Sequence, residues 1–292
     1  MSKTAGRQEV SPRKAGAKAT RGSKGEVSIE TIATLDELSA AVRLFDSVWA
    51  KSGNEQVMPL GVIRAISHSG AYVSGAFSSG KLVGALVGLL GGGDAKPHLH
   101  SHVLGVIPEA RGSSVGYALK QHQRSWALNH GIRKIVWTFD PLVARNAYFN
   151  LSKLGADAAT YYPDFYGRMD DAINAGDDSD RLLVEWLLDS PKAEAAANGA
   201  SGMEPDIDQA RAAGATIALD EDTDGLPIAN GFGGSEVMIC KVPTDIVLLR
   251  QESPDVAKSW RQAQRSVLGQ ALQDGFRVDG VSRSGWYLLN RG

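Results

Sequence analysis

HLHSHVLGVIPEARGSSVGYALKQHQRSWALN, residues 98–129, is the stretch whose reading decides the fold. Its opening residues alternate apolar and polar, as a strand with one covered face does. Pro108 breaks the alternation, a short run rich in Gly and Ser follows, and helical periodicity resumes beyond it. The order is strand, loop, helix. Glu109 to Gly116 offers consecutive backbone N–H groups with little side-chain bulk at the point where a helix begins. Unsatisfied helical N–H groups and the positive end of the helix dipole converge at such a nest, which suits a phosphate or pyrophosphate.

Working outward, Val27 to Ile32 alternates as a strand, and Thr34 with Glu37 forms a capping box for a helix running to about Ala50. Leu38, Ala41, Val42, Phe45, Val48 and Trp49 fall on one stripe of it. Pro59 to Ser67 reads as a second short helix stopped by Gly70. Residues 71–77 and 81–90 form a hairpin about a Ser-Ser-Gly turn, and Gly91 to Asp94 is a flexible loop. Downstream, His130-Gly131 stops the nest helix, 134–139 is a buried strand ending at Asp140-Pro141, and 142–154 is a helix closed by Gly155. Strands follow at 158–162 and 180–188.

Residues 190–214, rich in Ala, Gly and Ser with scattered acids, read as a linker. Beyond them, strands are expected at 215–219, 236–242, 276–282 and 286–289, with a helix from Pro254 to Asp274 capped by Ser253. The chain therefore divides into a basic tail (1–25), a main domain (26–189), a linker (190–214) and a C-terminal α+β region (215–292). The fold class is α/β, with a mixed sheet in the main domain. The last region is either a small second domain or an extension of the first.

A chain of 292 residues can bury a sizeable core, and its 22% charged and 43% hydrophobic residues are typical of a globular protein. Residues 1–25 carry Lys3, Arg7, Arg13, Lys14, Lys18, Arg21 and Lys24 against Glu9, whereas the whole chain has a formal net charge of -2. An anionic ligand must therefore rely on local groups. The tail, poor in apolar residues, is expected to be disordered and solvated; with no aromatic to stack on bases, the reading disfavours nucleic acid. No apolar run reaches the length of a membrane span. Cys240 is the only cysteine, which excludes an intrachain disulfide and points to a reducing, cytoplasmic setting.

Val106-Ile-Pro108-Glu-Ala-Arg111-Gly112-Ser113-Ser114-Val115-Gly116 resembles the signature of the GNAT superfamily of acyl-CoA-dependent N-acyltransferases. Ser114 stands where the first signature glycine is usual. The resemblance implies acetyl-CoA or another acyl-CoA as co-substrate, pyrophosphate on Arg111, Gly112, Ser113, Ser114, Val115 and Gly116, and pantetheine along Leu104 and Val106 in a cleft where two strands part. It covers the main domain and not the last hundred residues.

N-acyl transfer needs a neutral amine, a polarised thioester carbonyl and a proton returned to the thiolate. Alternation along the strand predicts that His98, His100 and His102 point together. His100-Ser-His102-Val-Leu104-Gly-Val106 looks like the arrangement in serotonin-type arylalkylamine N-acetyltransferases, which makes His102 and His100 the candidate base and relay. His98 reads as a partly buried sheet residue. Three alternate histidines also suit a metal, but no Cys or carboxylate joins them at ligand spacing, and no metal is expected. The resemblance further implies that Asn146 and Phe149 contact the cofactor. Leu151 occupies the place of the family's usual tyrosine acid; Tyr148 and Tyr166 are the replacements considered, Tyr166 from the aromatic run 161–166.

Residues 137–146, 162–167 and 180–186 also resemble a bacterial subgroup of predicted GNAT proteins with an extra C-terminal region, some linked to N-acylation, including N-succinylation, of amino acids. That implies a small-molecule amine or amino acid as acceptor and leaves room for a homodimer. Arg145, Arg168 and Arg181 are carboxylate-binding candidates, each with an alternative pairing to Asp140, Asp170 or Asp180. A second reading, a non-catalytic CoA-binding or regulatory module, draws on Ser114 and Leu151.

Overall fold

The computed structural model describes residues 27–49, 56–92, 96–167, 177–199 and 204–291. The basic tail, and the pairing of Arg168 with Asp170, lie outside them. In chain order the first half comprises β1 (Val27–Thr31), α1 (Leu35–Trp49), α2 (Leu60–His68), β2 (Tyr72–Ser78), β3 (Lys81–Gly91), β4 (His98–Val106), α3 (Val115–Asn129), β5 (Lys134–Phe139), α4 (Ala144–Ala147), β6 (Asp157–Tyr162) and β7 (Arg181–Leu187). α4 runs on into a π-turn, Tyr148–Lys153. This is the order the periodicity predicts. At the start of α1 the capping box is reciprocal: Thr34 N–H donates to Glu37 Oε2 at 3.0 Å and Glu37 N–H to Thr34 Oγ1 at 3.3 Å.

The seven strands form one mixed sheet in the order β1-β2-β3-β4-β5-β7-β6. The pairing of β4 sets the shape of its middle. It pairs with β3 throughout, but Val87 opposes Val103 while Gly88 opposes Ser101, so His102 is an extra, bulged residue. It pairs in parallel with β5 only at Leu99↔Ile135 and His100↔Val136. Beyond those two pairs the strands diverge and a cleft opens through the sheet. The helices cover both faces: Leu38, Phe45 and Ile63 of α1 and α2 pack with Val87 and Val103, while Val115 and Leu119 of α3 pack with Leu86, Leu99 and Ile135.

The second half holds α5 (Pro191–Ala197), α6 (Ile207–Ala212), β8 (Thr216–Glu221), β9 (Pro227–Ala229), β10 (Val237–Lys241), α7 (Ile246–Glu252), α8 (Pro254–Gln264), α9 (Gln270–Gln273), β11 (Phe276–Val281) and β12 (Trp286–Arg291). β9 and α7 were not expected from the sequence. Residues 190–214 are also more than a linker. Ser190 caps α5 by accepting from Ala193 N–H, Asp206 caps α6 by accepting from Gln209 N–H, and Tyr117 Oη donates to the Ala196 carbonyl. The alanine run that resembles low complexity is a good helix former with side chains small enough to pack closely. A Cβ on Gly155 would stand 2.8 Å from the Lys192 carbonyl oxygen, which is how near α5 approaches.

β8 to β12 make their own five-stranded sheet, order β11-β12-β10-β8-β9, yet its core is continuous with the first. Ser152 Oγ donates to the Val281 carbonyl at 2.7 Å and accepts from Val281 N–H at 2.8 Å; Tyr287 Oη donates to the Pro141 carbonyl at 2.7 Å. The C-terminal region is thus an extension buttressing the segment between β5 and the end of the α4 turn. Cys240 is packed within it, and burial pushes its thiol up to about 12. Among the described residues, no helix is long and apolar enough to cross a membrane.

Candidate functional site

The divergence of β4 and β5 produces a cavity of about 580 Å³ whose lining includes His102, Leu104 and Val106 of β4, Trp137 to Phe139 of β5, Asn146 and Phe149. At one end stands the loop before α3. Arg111, Gly112, Ser114, Val115 and Gly116 all line the cavity; Ser113 does not, its Oγ donating instead to the Ala110 carbonyl. The backbone N–H groups of residues 112–117 make no well-aligned backbone hydrogen bond among the described residues, although Ala110 and Arg111 just before them and Ala118 just after do. A run of unengaged donors at a helix start fits a diphosphate. Gly116 makes room for it: a Cβ there would project toward the cavity side of β4, 3.7 Å from Leu104 Cδ2 and 3.9 Å from Val106 Cγ2.

Ser114 adopts φ 65° and ψ 11°, the left-handed region. A residue with a Cβ pays roughly 1–2 kcal/mol there, which glycine avoids. Ser114→Gly is therefore expected to raise stability by about 0.5–1 kcal/mol after the added freedom of the unfolded chain is subtracted. Urea denaturation reads this directly. An unchanged or lower midpoint would show that the turn stores no strain.

Of the residues singled out for chemistry, His102 lines the cavity and is exposed to it. The predicted common face of the three histidines is interrupted, because the bulge at His102 breaks the alternation of β4. His100 is half-buried outside the lining, its ring centre 6.0 Å from that of His102. Burial lowers the His100 imidazole, helped by the charges of His102, His98 and Lys120, and desolvation lowers that of His102. Tyr166 reaches the rim, its Oη 3.3 Å from Thr138 Oγ1 and its ring 5.3 Å from the Arg181 guanidinium. Tyr148 stands away from the cleft beneath Arg283, 5.1 Å from ring to guanidinium. Tyr161 is buried and donates to Asp180 Oδ2 at 2.7 Å. Leu151 is a core residue, 1% exposed.

The alternative pairing of Arg145 with Asp140 and the favoured pairing of Arg181 with Asp180 give way to others. Asp140 receives Arg261 at 2.9 and 2.8 Å and Arg250 at 2.6 Å, and the Asp180 carboxylate receives Arg265 at 2.9 and 2.6 Å. Those arginines come from α7, α8 and the turn after α8, more than eighty residues on, where local sequence reasoning does not look. Arg145 and Arg181 both line the cavity, the latter donating to its neighbour's carbonyl, Asp180 O, at 2.8 Å.

Sequence reasoning missed Lys120, Ser101 and Trp137, which also line the cavity. Lys120 falls on the face of α3 that buries Leu119, Gln123 and Ala127; a lysine on an apolar stripe was the available signal. Among the described residues, no group of three His, Cys, Asp or Glu is gathered as a metal ion would need.

Residues 38–152 match the family described as Acetyltransferase (GNAT) family. Among solved structures, the ribosomal-protein-S18-alanine N-acetyltransferase of Escherichia coli is similar at 14% identity and TM-score 0.44, over 55% of this chain and 92% of that one. A GNAT-family acetyltransferase of Streptococcus pneumoniae is similar at 12% and 0.46, over 56% and 99%. Naa20 of Chaetomium thermophilum, crystallised with a bisubstrate analogue, is similar at 15% and 0.44, over 55% and 86%. No curated protein sequence matches this chain.

Proposed function

We propose that this chain is a GNAT-superfamily N-acyltransferase that moves the acyl group of an acyl-CoA onto the amine of a small molecule, with amino acids as one candidate class. The observation that carries the reading is the parting of β4 from β5 directly after His100 and Val136, with the nest at one end of the gap and His102 on its wall. Bound acyl-CoA supplies an activated thioester carbonyl. The N–H groups from Gly112 to Gly116, Ser113, Ser114 and Val115 included, receive the pyrophosphate, with Arg111 adding charge. Leu104, Val106 and Phe149 flank the pantetheine arm by apolar contact and Asn146 offers it an amide. The edge of β4 beyond His100, free of β5, offers that arm backbone partners.

In this reading His102 takes the proton of the acceptor ammonium, His100 follows it in a relay, and Tyr166 at the rim returns a proton to the thiolate. Tyr148 is the weaker candidate for that last role because it lies beneath Arg283. A lowered pKa keeps His102 neutral, and so competent as a base, at neutral pH.

Replacing His102 with Gln is expected to lower kcat by about 10²-fold while leaving CoA affinity unchanged. The acid limb of kcat/KM, where rate falls as His102 becomes protonated below the ordinary imidazole value, should disappear with it. Adding His100→Gln should cost less than the two single effects combined, since members of one relay are not additive. Wild-type turnover with an unaltered acid limb in the His102 variant would assign the histidines to structure alone.

A further inference from the structure

Lys120 stands where β4 and β5 begin to part. Its Nζ donates to Ser101 Oγ at 2.8 Å, lies 3.5 Å from Gln123 Oε1, and sits 3.6 Å from the centre of the Trp137 ring. Ser101 and Trp137 directly follow the last residues that the two strands pair, His100 and Val136. The residue is 3% exposed and still lines the cavity. Among the described residues, no carboxylate comes within ion-pair distance of it. A buried cation without an anion is costly. The Trp137 face offsets part of that cost, and Ser101 with Gln123 engages at most two of the three ammonium N–H groups. The contact with Gln123 is the longer of these two, so its donor is the one that can turn to whatever enters the cleft.

The distance along the cleft fits the reactive end of a donor anchored at the nest. From Val106, beside Gly116, to Ser101 the bulged strand spans the four steps of β3 from Gly84 to Gly88, roughly 13 Å at the usual rise, so a chain extended along β4 from the nest brings its far end to Lys120. We propose that Lys120 is a catalytic residue: its ammonium donates to the carbonyl oxygen of the bound thioester and stabilises the oxyanion formed when the amine attacks. The inference rests on the N-acyltransferase reading of the cleft. In the step it serves, the amine nitrogen bonds to the carbonyl carbon and the C=O π pair moves onto oxygen. On collapse that pair re-forms C=O, the C–S bond breaks, the attacking nitrogen gives up its extra proton to leave the neutral amide, and the departing thiolate takes up a proton. Lys120 keeps its proton throughout. Beside a low-dielectric wall such a donor acts far more strongly than in water.

Burial lowers the Lys120 ammonium well below the ordinary lysine range, which makes it a stronger hydrogen-bond donor and brings its deprotonation to a lower pH. The other charged or titratable groups around the cleft are His100 and His102 of β4, Arg111 of the nest, Tyr117 of α3, Asp140 after β5, Arg145 and Lys153 of the α4 segment, and Arg181 of β7. Asp140 is already engaged by Arg250 and Arg261.

Isotope-edited infrared spectroscopy of acetyl-CoA carrying a ¹³C carbonyl tests the inference, with calorimetry of CoA and acetyl-CoA alongside. The carbonyl band should move to lower wavenumber on binding the wild-type protein, and the shift should fade as pH rises through the Lys120 deprotonation, which backbone donors would not do. In Lys120→Met the shift should be largely lost and kcat should fall by about 10²–10³-fold, with acetyl-CoA affinity within about threefold of wild type. A band unshifted in the wild type, a shift indifferent to pH, or an equal shift in the variant would each overturn the inference. The first and second need no variant that folds. Absence of CoA binding by calorimetry would instead overturn the reading on which the inference rests.

Discussion

Arg261→Met is expected to destabilise the protein by about 3–5 kcal/mol, because it leaves two buried carboxylates to share one guanidinium. Arg261 is 1% exposed and Asp140 7%. Arg261 holds Asp140 through two hydrogen bonds, at 2.9 and 2.8 Å, and reaches Asp177 Oδ2 at 3.2 Å; Arg250 completes the cluster at 2.6 Å from Asp140 and 3.0 Å from Asp177. Burial alone would raise the Asp140 pKa, but the two guanidinium groups outweigh it and hold the carboxyl well below the usual range. A depressed carboxylate pKa stabilises the fold at every pH above its unfolded value. The contribution is lost as pH falls from there through the folded one. In the variant the folded value lies higher, so the loss should be smaller and should end at a higher pH. Chemical denaturation across pH reads both effects, and Asp140→Asn in the Arg261→Met background should cost less than in the wild type, since the pair is coupled. A variant as stable as wild type at neutral pH would show that the cluster contributes nothing net. Because Asp140 lines the cleft and its carboxylate also accepts from Leu142 N–H at 3.0 Å, the C-terminal half fixes one wall of the site.

The second large effect concerns Gly116→Asp, which should weaken CoA binding by two to three orders of magnitude. Its Cβ has space at 3.7 Å from Leu104, so the fold tolerates the substitution, but the carboxylate would enter the cavity beside the run of free N–H donors. Two like charges about 4 Å apart near a protein surface repel by about 4 kcal/mol. Calorimetry with CoA gives the loss. Gly116→Ala, neutral and nearly as small, should keep most of the affinity. Equal affinity of wild type and the Asp variant would remove the nest from the cofactor site.

How far these features were legible in the sequence depends on how local their causes are. The order from β1 to β7 was readable because each element announces itself within a few residues: the Thr34–Glu37 box, the 78–80 turn, Gly131 and Gly155 as stops. The nest was readable because small residues at a strand-to-helix junction have few other uses. The bulge at His102 was hidden, since an inserted residue leaves the apolar–polar alternation of β4 looking intact while moving His100 and His102 into different surroundings. The pairing of Asp140 with Arg250 and Arg261 joins segments more than a hundred residues apart, whereas the sequence offered only nearby Arg145 as an alternative partner. Lys120 was not singled out in the sequence, although its position beside Leu119 puts it on the buried face of α3. α5 was read as linker because alanine carries no periodic signal, and it is placed by what it packs against.

Acyl transfer in the cleft between β4 and β5 is tested most directly by thiol release from acetyl-, propionyl- and succinyl-CoA over a panel of small amines and amino acids, with the product weighed by mass spectrometry. The expected result is release that depends on the amine, saturates with donor, and matches the amide formed mole for mole. Saturable CoA binding with no thiol released from any donor across the panel would contradict it, and would mark the cleft as that of a CoA-binding module without catalysis.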